Sequence, residues 1–241
     1  MRVPRIFTSQ PLAANTTVEL EAGPAHHILK VLRMQAGREL VLFNGEGGEY
    51  AAVITEAGKR NVAVSIGAFS SPETESPLAT ELAIGMSRGE RMDWVIQKAT
   101  ELGVTRIQPL FTERTEVKLS GDRLEKRLQH WQQIIISACE QCQRNHLPEL
   151  RKPLALPQYL EGCTASARYV LHHRTDQQLK ESAKPESICL LVGPEGGLSD
   201  DEILLAQRHA FKALALGPRV MRTETAPLAA LAVLQFHWGD F

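Results

Sequence analysis

Two short segments combine residue types that can hold a small ligand and act on it. The first is Gly193-Pro194-Glu195-Gly196-Gly197. Three glycines in five residues let the backbone come close to a ligand. Ser199 and Glu202 then form a capping-box pattern that opens a helix. That helix starts with Asp200, Asp201 and Glu202. An anion at its N-terminus would meet like charge, so the loop suits a neutral or cationic ligand better than phosphate. It is neither a Walker loop nor GxGxxG. The bland alternative is a tight turn that uses glycine for geometry alone. The second segment runs from Leu216 to Pro227 and holds Arg219, Arg222 and Glu224. Its alternative is a solvated loop with a surface ion pair. Both segments follow a strand pattern and precede a helix pattern, and Thr225 and Pro227 suit the start of the second helix.

Other groupings carry less. Glu140 and Arg144 stand four apart at the end of a long helix, the spacing of a surface salt bridge. Cys139 and Cys142 continue that helix's apolar stripe, and no second cysteine pair stands at zinc spacing, so a structural reading is favoured and no metal is expected. His172 and His173 end a strand and could line a pocket. No serine lies in a nucleophile elbow. Basic residues cluster modestly: Arg2, Arg5, Lys30 and Arg33 early, then Arg88, Arg91, Lys98, Arg114 and Lys118. Taken singly, each fits ordinary surface charge.

The elements that must position these residues fall into two parts. Residues 1–69 read as a small β domain of short strands (Leu40–Phe43, Tyr50–Ile54, Asn61–Ile66) joined by Gly-containing turns, with one helix near Pro24–Met34. Residues 70–78, polar and bearing two prolines, read as a linker. Residues 79–241 alternate strands and helices, which argues for a mostly parallel α/β sheet covered by helices. Ser87 and Glu90 match a capping box, followed by the stripe Met92, Val95, Ile96, Ala99 and Leu102. Ligands in such folds bind beyond the carboxyl ends of the strands.

Composition sets the outer limits. The chain has 241 residues, 43% hydrophobic and 23% charged, which is ordinary globular composition. Lys and Arg number 27 against 28 Asp and Glu, a net charge of −1, so any nucleic-acid contact must come from a local basic patch. Four cysteines are too few for a disulfide scaffold. The N-terminus lacks a signal-peptide core and no apolar run reaches the ~20 residues of a membrane span, so a cytoplasmic protein is expected.

In order along the chain, Pro4-Arg5-Ile6-Phe7, His27–Arg33, Lys98–Val104, Glu113-Arg114-Thr115, Glu140-Gln141 with Arg144 and Pro148, Val192–Gly197 and Leu216–Ala226 resemble one family. It is the bacterial small-subunit ribosomal RNA uridine N3-methyltransferases of the SPOUT superfamily. Departures are small: Val220-Met221 in place of Ile-Leu, and Cys142-Gln143 in place of smaller residues. The resemblance implies an N-terminal PUA-like β-barrel that helps hold RNA and a C-terminal α/β methyltransferase domain with a trefoil knot. It implies S-adenosylmethionine as methyl donor, a homodimer with sites near its interface, and a uridine in the decoding region of 16S RNA of the small ribosomal subunit as substrate. Cofactor contact is expected from Gly193, Pro194, Glu195, Gly196, Gly197, Leu216, Gly217, Val220 and Met221, bordered by Leu171 and His172. Arg222 would stabilise the uracil oxygens as negative charge develops. Glu195 or water would take the N3 proton, and the base must leave its stack. The basic residues above, with Arg144, would meet RNA. The competing readings are a SPOUT enzyme for another RNA position, a non-catalytic RNA-binding factor, and a nicotinamide enzyme, the last disfavoured by the absence of GxGxxG.

Overall fold

A computed structural model describes residues 3–117, 119–172, 175, 179 and 183–241. Arg2, Lys118 and His173 lie outside them. The described chain forms two compact units: Met1–Glu75 with Cys139–Leu147, and Ser76–Ala138 with Pro148–Phe241.

The first unit is built on β1 (Arg5–Phe7), β2 (Thr17–Glu19), β3 (Glu39–Phe43), β4 (Glu49–Ala57) and β5 (Val62–Ser70), paired in the order β1-β3-β4-β5-β2. β1 runs parallel to β3 and the other pairs are antiparallel. Every second residue points inward, as a half-buried strand requires. Leu40, Leu42, Ala52, Ile54, Val62, Val64 and Ile66 thus share one core with Ile6, Ala25 and Ile28. The expected helix over 24–34 is two pieces, α1 (Ala22–His26) and a π-helical turn over His27–Val31. It ends where Arg33 takes a positive φ of 52°. β5 runs through Ser70, one residue beyond the expected edge of the β domain.

The units are not the contiguous blocks the sequence suggests, because polar side chains at the end of the long helix bond to the β unit. Glu140 accepts the Phe7 backbone N–H at 3.0 Å. Arg144 is 4% exposed, and its Nε reaches both carboxylate oxygens of Glu75 at 3.0 and 3.1 Å. Arg5 bonds Asn145 Oδ1 at 2.6 Å, pairs with Glu49 and lies over the Phe43 ring. The expectation that Arg5 and Arg144 meet RNA is therefore corrected. Both guanidiniums are buried against carboxylates, whereas Lys30 and Arg33 are exposed.

The second unit is a seven-stranded sheet of β6 (Ala79–Gly85), β7 (Arg106–Phe111), β8 (Glu149–Leu150), β9 (Leu154–Ala155), β10 (Ala167–Leu171), β11 (Ser187–Val192) and β12 (Lys212–Leu214). The order is β12-β10-β11-β6-β7-β8, with β9 also on β7, and every pair is parallel. Helices α2 (Glu90–Glu101), α3 (Gly121–Cys142), α4 (Leu156–Gly162), α5 (Asp200–Arg208) and α6 (Ala226–Trp238) complete it. Parallel strands covered on both faces read as continuous apolar runs. In β11, Ile188 to Val192 are all buried, and Cys189 and Leu191 pack with Leu156, Leu160, Ile203 and Phe211. α2 buries Met92, Val95, Ile96 and Ala99, each large side chain contributing roughly 1.5–3 kcal/mol. α6 is fixed by Gln235, which bonds the Leu102 carbonyl at 2.9 Å and the Ser76 hydroxyl at 2.7 Å.

Two expected helix caps are absent. The N-cap of α2 is Gly89, whose φ of 58° with ψ of −137° is a glycine conformation, and Ser87 makes no capping bond. Thr225 occupies the N-cap position of α6 in a helical conformation without a side-chain cap. The Ser199–Glu202 capping box is formed in full.

Removing Arg144 would leave Glu75 without its buried partner. Arg144→Ala is expected to destabilise the first unit by about 3 kcal/mol, read as a lower denaturant midpoint with Arg33→Ala as an unaffected control.

Candidate active site

The conspicuous loops of the second unit all leave the carboxyl ends of parallel strands, where open α/β sheets bind ligands. After β11 the chain turns through Gly193–Gly197 into α5. A Cβ on Gly193 would stand 2.6 Å from the Leu198 nitrogen, so only glycine lets this loop close on itself. Gly197 has φ 67° and its N–H bonds the Pro194 carbonyl at 2.8 Å. Gly85, ending β6, leaves room for Pro194, whose Cδ would be 2.5 Å from a Cβ there. After β12, Gly217 (φ 88°) turns the second loop. The His172 N–H bonds the Leu214 carbonyl at 3.0 Å and joins the ends of β10 and β12.

These loops enclose a cavity of about 250 Å³. It is lined by Leu171, His172, Gly193, Pro194, Glu195, Gly196, Gly197, Leu216, Gly217, Val220 and Met221, the whole set expected at the cofactor site. The wall also includes Arg114, Asp200, Ile203, Leu214, Ala215, Arg219 and Thr223. Sequence reasoning missed these for that role. Asp200 and Arg219 were within reach of it, since they adjoin the two loops, whereas Arg114 follows β7 and no local spacing connects it to them. Arg114 lies over Gly196, whose missing side chain admits it, and donates to the Gly196 carbonyl at 2.9 Å and the Leu198 carbonyl at 3.4 Å.

Glu195 is the polar centre of the loop. It accepts the Arg88 backbone N–H at 2.8 Å and the Arg91 guanidinium at 3.2 Å. Burial alone would push its carboxyl up. Hydrogen bonds from the Arg88 N–H, its own N–H and Arg91 outweigh that and hold it below the usual carboxylate range. A second cavity, of about 540 Å³, opens on the other side of this loop. Arg88, Arg91, Glu113, Arg114, Thr115 and Glu116 line it, and it shares Glu195, Gly196 and Arg114 with the first.

The remaining expected residues are dispersed. Arg222 lines neither cavity; its side chain is 82% exposed and stands 3.9 Å from Glu224. Lys98, on α2, is held by Glu101 at 2.7 Å and lies over the Trp94 ring. Among the described residues no cluster of three His, Cys, Asp or Glu could hold a metal ion, and all four cysteines are free thiols. Cys139 is buried and its thiol is pushed up to about 12 by desolvation; Cys142 is half-buried. No helix among the described residues is long and apolar enough to cross a membrane.

A parallel sheet with two glycine-shaped loops over one cavity, in a chain whose other unit is a five-stranded sheet, defines an α/β enzyme with an accessory β domain. By comparison with known proteins, residues 74–235 match the RNA methyltransferase domain family and residues 24–67 the RNA methyltransferase PUA domain, so the chain belongs to this family of RNA methyltransferases. It is 35% identical to ribosomal RNA small subunit methyltransferase E of Buchnera aphidicola (Schizaphis graminum), over 99% of this chain and 98% of that one. The crystal structure of the same-named protein from Neisseria gonorrhoeae, bound to S-adenosyl methionine, is 37% identical with a TM-score of 0.93 over all of both chains. A Legionella pneumophila protein solved with bound cofactor SAM is 42% identical with a TM-score of 0.97, again over both chains in full.

Because Glu195 is lowered, the stability it contributes is present in full above the ordinary value of 4.5 and is lost as pH falls through the lowered one. Glu195→Gln is expected to melt below wild type from pH 8 to 5. The gap should close toward pH 3 in a calorimetric pH series.

Proposed function

We propose that the chain transfers a methyl group from S-adenosylmethionine to N3 of a uridine in the RNA of the small ribosomal subunit. The observation that carries this is the first cavity, which the β11 and β12 loops share at the carboxyl ends of the two strands that flank β10. Its residues fit the cofactor. Backbone from Gly193 to Gly197 and from Leu216 to Met221 can follow an adenosine-sized ligand, and the carboxylates of Glu195 and Asp200 suit a cationic sulfur. When bound, S-adenosylmethionine supplies an electrophilic methyl group.

The protein's own part is to position the base and manage its charge. Uracil N3 is nucleophilic only after losing its proton, and the negative charge then spreads over the flanking carbonyl oxygens. Fixed cationic donors at those oxygens lower the barrier, and alignment of N3 with the methyl group supplies much of the rest. Arg222 is our candidate for one such donor, acting in a homodimer. It is exposed in the single chain and stands just before α6. That helix presents Leu228, Ala229, Ala232 and Val233, half-buried, beside Phe236, 72% exposed. A second copy covering this face would enclose Arg222. A general base works best with a pKa near the operating pH, and Glu195 is held low, which favours water as proton acceptor and gives Glu195 a positioning role. Lys30 and Arg33 are among the exposed cations of the PUA unit and are our candidates for RNA contact there. This activity places the protein with ribosomes in the cytoplasm.

The test is incubation with radiolabelled S-adenosylmethionine and small ribosomal subunits lacking the modification, followed by digestion and nucleoside analysis. Label in 3-methyluridine supports the reading, and label in any other nucleoside overturns it. Arg222→Ala is expected to lower turnover about a hundredfold with cofactor affinity unchanged. Phe236→Glu is expected to halve the molar mass found by light scattering and to reduce turnover with it.

A further inference from the structure

The second cavity lies over β6 and β7, on the far side of the β11 loop from the first. Among the described residues its lining includes no apolar side chain. Three guanidiniums (Arg88, Arg91, Arg114) face three carboxylates (Glu113, Glu116, Glu195). An anion alone would meet the carboxylates, and a cation alone would meet the arginines. A neutral, planar ligand with acceptors flanking a donor satisfies both.

The arginines differ in how firmly they are held. Arg114 is anchored by two backbone carbonyls of the β11 loop. A guanidinium carries five N–H donors in a fixed fork, so Arg114 is positioned with donors left for a ligand. Arg91 bonds Glu195 at 3.2 Å and stands 3.9 Å from Glu224 with its side chain half exposed, and the Arg88–Glu116 pair, at 2.9 Å, is about two-thirds exposed. Ion pairs this exposed are weak, so a ligand can displace them at small cost. Arg114, Glu195 and Gly196 belong to both cavities. A group bound in one therefore borders whatever occupies the other across a single loop.

Among nucleobases, the edge with two carbonyl acceptors around a central N–H is that of uracil. Cytosine offers an amine and an unprotonated ring nitrogen there, and guanine one acceptor followed by two donors. We propose that the second cavity receives the acceptor base as its imide edge, with Arg91 and Arg114 donating to the two carbonyl oxygens and Glu195 accepting from the N3–H between them. This rests on the methyltransferase reading, and it assigns base recognition to residues from three strand ends. Donors on both oxygens also make N3–H more acidic, so recognition and activation come from the same contacts, and the proton released as the methyl group arrives passes along the Glu195 hydrogen bond to water.

The experiment has two independent arms. In the first, the arginine Nε–H resonances of the full-length protein are followed by NMR during titration with uridine 5′-monophosphate or cytidine 5′-monophosphate. Arg91 and Arg114 are expected to shift with the uridine nucleotide and not with the cytidine one. Equal shifts, or none, overturn the proposal. In the second arm, Arg91→Gln, Arg114→Gln and Arg91→Lys are assayed for methyl transfer to small subunits, and for S-adenosylmethionine binding by calorimetry. Each is expected to lose tenfold or more in kcat/KM; Arg91→Gln and Arg91→Lys should keep the cofactor Kd within twofold, whereas Arg114→Gln, at a residue that lines both cavities, is read on kcat/KM alone. Arg91→Lys should fail with the others because it keeps the charge and loses the fork. Full activity in Arg91→Gln, or cofactor affinity lost in parallel with activity in the Arg91 variants, overturns the base pocket. A wild-type protein that binds no S-adenosylmethionine yet shows the uridine-selective shifts would sink the methyltransferase reading and support the pocket.

Discussion

The Glu195 carboxylate ties together two loops that the sheet by itself would leave apart. In a parallel sheet the strands are fastened along their length, but the loops at their carboxyl ends depend on side-chain contacts of their own. Glu195 leaves the end of β11, accepts the Arg88 backbone N–H and the Arg91 guanidinium, and so joins the β11 loop to the turn between β6 and α2. Around this contact the glycines become intelligible. Gly193 lets the loop close, Gly85 leaves room for Pro194, and Gly89 bends the next turn so that Arg88 presents its N–H. Partial desolvation of the carboxylate is offset by the donors it gathers, which is why its pKa falls instead of rising.

The same contact explains why there are two cavities of different character. Strand order puts β12, β10 and β11 on one side of the Glu195 loop and β6 and β7 on the other. The first side is floored by backbone and small or apolar side chains, with Leu171, Leu214, Leu216 and Ile203 in its wall. The second is floored by guanidiniums and carboxylates. A group transfer needs two partners in adjoining sites with little between them, and a loop of glycines and one carboxylate is a thin partition. Arg114, resting on Gly196, is part of that partition although it comes from the strand beyond.

How much of this could be read in advance depended on whether the governing contacts were local. The parallel strands were legible because burial on both faces leaves continuous apolar runs, as in Ile188 to Val192. The two glycine-bearing loops were legible because close backbone approach leaves few residue types to choose from. Ser87-x-x-Glu90 satisfies the local rule for a capping box, yet α2 starts without one. The Arg88 N–H goes instead to a carboxylate 107 positions away, and no window on the sequence contains that partner. Glu140 and Arg144 have the spacing of a helical surface pair, but the bonds that hold them come from Phe7 and Glu75. Arg114's place at the site follows from the adjacency of β6 to both β11 and β7, which is a property of topology alone.

The burial of Arg5 and Arg144 narrows how the protein can meet RNA. A chain of net charge −1 has no general field to draw a polyanion, so contact depends on particular exposed cations. In the first unit two arginines are spent internally, each with its charge matched by a glutamate, while Lys30, on the π-helical turn, and Arg33, just beyond it, are among the cations that remain at the surface. In the second, three of the exposed arginines, Arg88, Arg91 and Arg114, line the second cavity, each beside a carboxylate or a loop carbonyl. Such an arrangement has few uncompensated charges and gives little non-specific affinity for phosphate. It favours a ligand that engages donors and acceptors together, so discrimination would come from the fit of one displaced nucleotide more than from general attraction to the backbone.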